Sequence, residues 1–213
     1  MGYLLFLIPI SVFSYFKTGM VRATLWAGVR MTVQLVLVGI YLEYIFRWDN
    51  PYVNVGWIVV MVGLSSQTVI KRAQLNPRLF LWPVFIALLF SLLTVDMYFL
   101  GVVIRLGDVF TARYFIPITG MILGNCIKTN VIAMNTLFKS LRRDVDFLHY
   151  SLAGGATLNE ALAPFVRETL KIAFNPTIAG MAVMGLVSLP GMMTGQILGG
   201  SNPLVAIKYQ IML

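Results

Sequence analysis

The side chains in this sequence that could do covalent or metal chemistry are few and far apart. Cys126 is the single cysteine and His149 the single histidine, so the chain forms no internal disulfide and holds no CxxC metal site. His149 sits among charged residues, whereas Cys126 lies inside a long apolar run. A Cys/His or Ser/His/Asp nucleophile set could therefore be built only around His149, out of reach of Cys126. The string Gly120-Met-Ile-Leu-Gly124-Asn125-Cys126-Ile127-Lys128-Thr129 has the wrong spacing for GxxxxGK[ST] and is surrounded by apolar residues, which argues against a phosphate loop. We expect no enzymatic chemistry and no cofactor in this chain. Any ATP hydrolysed on its behalf is expected to be hydrolysed by another subunit.

What remains is a set of polar and soft groups embedded in apolar runs. An ionisable side chain at the centre of a membrane-spanning helix costs about 2.5–3.5 kcal/mol on insertion scales, so each one needs a reason to be there. Asp96 lies about two-thirds along one run and Lys128 near the middle of the next; they either pair with each other or face a pathway. Glu43 is near the outer end of its run, where it can reach water, and Gln34, Asn125 and Asn130 need interhelical partners or a wet cavity. Iron would call for carboxylate or imidazole ligands, and only Glu43 and Asp96 are even partly embedded. The thioethers of Met121, Met181, Met184, Met192 and Met193 suit copper(I) better, although methionine in apolar spans is also ordinary filler. The candidate pathway residues are thus Gln34, Glu43, Asp96, Met121, Asn125, Met192 and Met193.

The elements that must carry these groups follow from composition. Of 213 residues, 59% are apolar and 11% charged, against about 25% charged in a soluble domain. The apolar surplus reads as surface facing lipid. A helix needs about 20 residues to cross a hydrocarbon core of about 30 Å. Apolar runs that fit or approach this are residues 2–16, 27–46, 55–70, 79–104, 115–138 and 176–199, and a seventh opens at Pro203. The seventh is too short to span by Leu213, so the natural protein is expected to run on. No strand-type alternation marks these runs, and lipid requires each span to satisfy its own backbone, which favours helices over a barrel. The first run lacks a preceding basic residue and a small-x-small site, so it reads as a span rather than a cleaved leader. The expected fold class is all-α: one polytopic membrane domain over residues 1–213, with about six spans and the start of another.

Glycines in two of these runs recur every four residues: Gly120 and Gly124, then Gly191, Gly195 and Gly199. That spacing places them on one helix face, where backbones can approach closely within a subunit or across a dimer seam. Pro190 is expected to bend or break the run in which it sits. The 36 charge-free positions from Ile172 to Ile207 also require a break near residues 199–203.

Orientation follows from Lys and Arg. With the N-terminus outside, inner loops hold Lys17, Arg22, Lys71, Arg72, Arg78, Lys139, Arg142, Arg143, Arg167 and Lys171, and outer loops hold Arg47, Arg105 and Arg113. This bias is the one expected of cytoplasmic loops, and it accounts for the net charge of +8 without a nucleic-acid partner. The basic residues are scattered and form no groove with stacking aromatics.

Residues 139–175 form the one long non-spanning segment. Ser140 is placed to cap a helix in which Leu141, Val145, Leu148 and Leu152 make one apolar stripe, with Arg142, Arg143, Asp144 and Asp146 on other faces. Gly154-Gly155 ends a helix cheaply. Thr157-Leu-Asn-Glu160 fits a capping box; Pro164 should bend the second helix and Asn175-Pro176 should end it. The reading is helix, glycine turn, helix, on the basic side of the membrane.

Two resemblances sit on these residues. Leu152-Ala-Gly-Gly-Ala-Thr157, flanked by helices, resembles the cytoplasmic "EAA" loop of ABC-transporter permeases, although no Glu-Ala-Ala precedes the glycine. Over nearly the whole chain, Arg30-x-x-x-Gln34-Leu35, Ile116-Pro-Ile-Thr-Gly120-Met121 with Gly124-Asn125, Gly185-Leu-Val-Ser-Leu-Pro-Gly-Met-Met193 and Ala206-Ile-Lys-Tyr-Gln-Ile-Met212 look like the FetB-like family. These are the permeases of bacterial iron-export ABC systems. The resemblance implies a homodimer in the bacterial cytoplasmic membrane, working with a separate ABC ATPase subunit. It also implies that Asp144, Leu148, Leu152, Gly154, Gly155, Ala156, Thr157 and Glu160 form the segment coupled to that ATPase. A permease for an organic or chelated solute, or an accessory protein that anchors others, are the alternatives.

Overall fold

The structure, a computed structural model, describes residues 7–104 and 109–212. The regular elements among them are helices: α1 (Leu7–Tyr15), α2 (Val21–Trp48), α3 (Pro51–Arg72), α4 (Pro77–Asp96) running on as a π-helical segment (Met97–Val103), α5 (Ala112–Arg143), α6 (Val145–Ala153), α7 (Leu158–Val183), α8 (Gly191–Leu198) and α9 (Pro203–Met212). The chain is an all-α membrane protein. Four stretches are long and apolar enough to cross a bilayer: α2, α3, α4 with its π-helical continuation, and α5. The expected first run is described only from Leu7 onward, and Arg105 of the outer loop and Leu213 lie outside the described residues.

Asn-Pro dipeptides punctuate the helix starts. Asn50, Asn76 and Asn202 each accept, through Oδ1, the backbone N–H two residues on, at 3.0, 3.1 and 2.9 Å. The proline that follows occupies the first turn, where its missing N–H costs nothing. Asn175-Pro176 is the exception and corrects the sequence reading: it does not end a helix, because α7 passes through it to Val183. Ala161, Phe165, Thr169 and Ala173, four residues apart, bury one face of α7, and this packing holds the helix across the missing hydrogen bond. In lipid the alternative, an unravelled backbone, is worse.

A second correction follows. The expected run 176–199 is not one span, because the chain leaves helix at Met184 and re-enters it at Gly191. Gly185 takes φ +85°, its N–H donates to Ser188 O at 2.9 Å, and Pro190 precedes α8 with extended ψ. The expected break at 199–203 is present, with Gly200 at φ +91°. A third correction concerns Ser140, whose hydroxyl donates to Leu137 O within α5 rather than capping a helix. α5 continues to Arg143, and the chain breaks at Asp144 before α6.

The core lies among α3, α4 and α5. Ile58 and Val62 of α3, Leu88 and Leu92 of α4, Leu100 of the π-helical segment, and Phe115 and Leu123 of α5 are all buried. Since lipid is as apolar as these side chains, what holds them is close packing rather than exclusion from water. By contrast α2 buries no residue and turns its apolar surface outward. Both ends of the bundle carry ties. At one end Asp49 Oδ1 accepts the Ala112 N–H at 2.7 Å and Asn54 Nδ2 at 3.3 Å, while Asn54 Nδ2 also meets Phe110 O at 2.8 Å. At the other, Asn135 Nδ2 reaches Arg72 O at 3.4 Å. The 49–50 and 110–112 connections thus share one side, and the 73–76 connection shares the other with the lower part of α5, as the charge distribution requires.

Candidate transport cleft and glycine turn

Two i,i+4 pairs face a common space: Met121 and Asn125 on α5, and Thr177 and Met181 on α7. The non-helical stretch closes one side of it with Met184, Gly185, Leu189 and Pro190. Met193 of α8 and Ile207, Gln210 and Ile211 of α9 complete a cleft of about 640 Å³. Backbone that leaves helix at membrane depth is tolerated where it lines a cavity, and interrupted helices of this kind build the binding sites of many transporters. No described residue lining the cleft is ionisable.

Of the sequence-predicted pathway residues, the structure brings Met121, Asn125 and Met193 together here and leaves the others elsewhere. Gln34 lies on the outward surface of α2. Glu43 accepts an ion pair from Arg47 one turn on, at 2.7 Å and largely exposed. Met192 is exposed beside the cleft-lining Met193. Asp96 is fully buried among α4 and α5, accepting the Thr119 hydroxyl at 2.8 Å through Oδ2, while its Oδ1 has no partner among the described residues. The anticipated alternative for Asp96, an ion pair with Lys128, is absent: Lys128 is exposed, nine residues beyond Thr119 on α5. Asn130 satisfies its amide on Cys126 O of its own helix at 2.9 Å.

The glycines divide in the same way. A Cβ on Gly120 would stand 3.3 Å from Met61 Cε, so this position sets the approach of α5 to α3. Among the described residues nothing lies within 4 Å of such a Cβ at Gly124, Gly191 and Gly195, and at Gly199 only the carbonyls of its own preceding turn do. Close packing within this chain therefore rests on Gly120 alone among these five.

Sequence reasoning missed Gln210, Thr177 and Thr119. The first two fall in stretches read as an unfinished span and the start of another, so their register could not be assigned. Thr119 carried a signal, a hydroxyl adjacent to the first glycine of a pair and one run away from an embedded carboxylate.

At the other end of α7 the glycine turn is built as its residues dictate. Gly155 adopts φ +92°, outside the range an L side chain accepts readily. Thr157 and Glu160 form the reciprocal cap, with Glu160 Oε2 accepting the Thr157 N–H at 2.8 Å and Thr157 Oγ1 accepting the Glu160 N–H at 3.4 Å. The Thr157 N–H, and after it the Thr157 hydroxyl, which donates to Oε2 at 2.8 Å, hold the Glu160 carboxyl below its ordinary range. The Arg143 guanidinium donates to Asp144 at 2.8 Å and lowers that carboxyl likewise. α6 folds back on α7 through a Phe147–Phe165 edge contact with centroids 6.1 Å apart. Arg143, Asp144, Asp146 and Glu168 ring these two phenylalanines around an open groove of about 480 Å³. Tyr150 and Leu158 are left projecting from the turn, 80% and 60% exposed.

A discontinuous helix lining an uncharged cleft, with a capped glycine turn at the far end of the same helix, is transporter-like geometry, and the sequence comparisons agree. The match to the Uncharacterised protein family UPF0014 extends over residues 1–213. The chain belongs to the UPF0014 family. Among UPF0014 relatives, the membrane protein YjkA of Bacillus subtilis is 33% identical over 208 residues, covering 97% of this chain and 81% of the relative. The Probable iron export permease protein FetB of Escherichia coli is 32% identical over 199 residues, 92% of this chain and 74% of the relative. Protein ALUMINUM SENSITIVE 3 of Arabidopsis thaliana is 34% identical over 188 residues, 86% and 66%. No solved structure matches. The family expected from the Arg30–Leu35, Ile116–Asn125 and Gly185–Met193 motifs is therefore the family found, and this UPF0014 chain is a membrane protein of transporter-like kind.

Proposed function

We propose that this chain is the permease subunit of an ATP-binding-cassette transporter and that the α5–α7–α8–α9 cleft is its solute pathway. The observation that carries the reading is the backbone break at residues 184–190, which sits in the cleft wall with Gly185 at φ +85°. A break at that depth is costly in lipid unless the freed backbone faces a cavity or a solute. ATP is hydrolysed on a separate subunit, which docks on the helix–Gly-Gly–helix turn at Asp144, Leu148, Leu152, Gly154, Gly155, Ala156, Thr157 and Glu160. The working unit is a homodimer in the bacterial cytoplasmic membrane with the turn on the cytoplasmic side. That a relative is named as a probable iron export permease supports a metal ion or metal complex as the solute.

Affinity purification from detergent followed by reconstitution with whatever ATPase accompanies the chain tests this. ATP-dependent movement of a metal ion, abolished when the ATPase is omitted, is the expected result. Gly155→Val should strain the left-handed backbone by about 1–2 kcal/mol and lower ATPase docking and stimulated hydrolysis, while insertion in the membrane is unchanged. Full activity in that variant would remove the turn from the mechanism, and a copurifying partner without ATPase activity would favour an anchoring role.

A further inference from the structure

The cleft has a donor set that points to one class of ligand. Four thioethers line it, from Met121, Met181, Met184 and Met193, on three elements and the break between two of them. Met193 is 8% exposed and Met181 68% exposed, so the set holds both a buried and an accessible methionine. Gln210 also lines the cleft, and its Oε1 is buried without a hydrogen-bond partner among the described residues. A buried amide oxygen left without a donor is a cost unless a ligand satisfies it. No carboxylate, imidazole or thiolate among the described residues shares the space, and no cluster of three such groups occurs among them.

A doubly or triply charged hard cation would find nothing there to offset the loss of its water, a penalty that rises steeply with charge. Soft thioether sulfur instead favours a d10 monovalent ion, which loses less hydration and binds neutral sulfur well. The three rotatable bonds of methionine let sulfurs on different helices converge without moving the backbone. We propose that this cleft binds a soft monovalent cation of the copper(I)/silver(I) class, through the thioethers of Met121, Met181, Met184 and Met193 with the Gln210 carbonyl as a further donor. This rests on the cleft being the solute site, and it assigns that site a ligand chemistry different from iron.

The test is a silver(I) titration of the full chain in detergent, in chloride-free buffer and in a Cys126→Ser background so that no thiol competes. About one silver ion per chain should bind through this set. Met181→Leu and Met193→Leu, which keep volume and remove sulfur, should each weaken binding on the order of tenfold, while Met31→Leu on the outer face of α2 leaves it unchanged. X-ray absorption of the copper(I)-loaded protein should show sulfur neighbours that decline in both leucine variants. Unchanged silver affinity in Met181→Leu, an exposed position where folding is not at stake, would overturn the site. So would iron(II) binding as tightly as silver(I) and weakening with the same leucines. ATP-driven transport in reconstituted vesicles is read separately: its failure with silver binding intact would sink the permease reading and leave the metal site standing.

Discussion

The α3–α4–α5 half and the α7–α9 half of this molecule are built from similarly apolar residues and behave oppositely. In the first, each helix presents a file of residues four apart, such as Val84, Leu88, Leu92 and Asp96, and the files meet in one buried cluster. In the second, α7 buries residues only as far as Ala173 and leaves helical geometry after Val183, and the next two helices are 8 and 10 residues long. What separates the halves is the placement of residues that set backbone shape rather than hydrophobicity. Proline falls inside helices of both halves, at Pro83 and Pro117 as well as Pro164 and Pro176, and the helices continue through it. A glycine at positive φ coupled to a proline five residues later, Gly185 and Pro190, stops one. Helix in a membrane survives a lost hydrogen bond when a neighbour packs against it and yields where none does.

The strongest way to break this contrast is a pair of alanines. Phe115→Ala, at a fully buried position, should lower resistance to heat or detergent denaturation by about 3–5 kcal/mol. Met181→Ala in the cleft should stay within about 0.5 kcal/mol. Equal losses would mean the second half is as tightly packed as the first. Next in size, Gly185→Val should cost about 1–2 kcal/mol through its backbone angle. Amide exchange should rise around residues 183–190 and not in α3 or α4. An effect spread over the whole bundle would show that the break is part of the core.

A smaller effect is expected at the glycine turn of the second half. Thr157→Ala should remove about 1 kcal/mol from the start of α7, read as faster exchange in its first turn. Because Glu160 is held below its ordinary range as an acceptor, the cap is complete above the usual carboxylate pKa. It is lost only as pH falls through the lowered value, since the proton must then displace the hydrogen bonds. Protection of that turn should therefore fall on acidification in the parent, and Glu160→Gln should flatten the dependence. The smallest effects distinguish the glycines. Gly124→Ala gains helix propensity, up to about 1 kcal/mol, with open space before it. At Gly120 the approach of Met61 Cε at 3.3 Å should offset that gain. A destabilising Gly124→Ala would indicate that another copy of the chain fills the open side.

The helical class, the capping box at Thr157 and the left-handed turn at Gly155 were legible in the sequence because each rests on neighbours within four residues. The break within residues 176–199 was legible only in part: Pro190 marked it, but the stop after Val183 depends on the left-handed backbone of Gly185, and a glycine in a charge-free run reads equally as a packing residue. Asn175-Pro176 misled because the same dipeptide starts helices at three other places, where no flanking helix seats the preceding turn. Asp96 stood out as costly from sequence, but its partner was a threonine rather than the lysine on the same neighbouring helix, because hydrogen-bond reach depends on height along α5. Met121, Asn125 and Met193 converged as candidates, whereas Gln34 and Glu43 were polar for surface reasons that periodicity on a lipid-facing helix conceals.

Asp49 gives the bundle a fulcrum. By holding the first amide of α5 and the amide of Asn54 together, its carboxylate clamps three helices at one end, with the α5 N-terminal dipole adding to the hold. The opposite end is joined by the longer Asn135 contact, 3.4 Å. A 32-residue helix is about 48 Å long, so a swing of about 10° about the clamped end carries Arg143 through roughly 8 Å while Ala112 barely moves. Leverage of this kind turns small displacements near Asp49 into large ones at the Arg143–Asp144 corner, and lets force applied at that corner act with the full arm of the helix. Pairs of spin labels bridging α3 and α5 at each end would read the ratio directly, with a broad distance distribution at the Arg72 end and a narrow one beside Asp49.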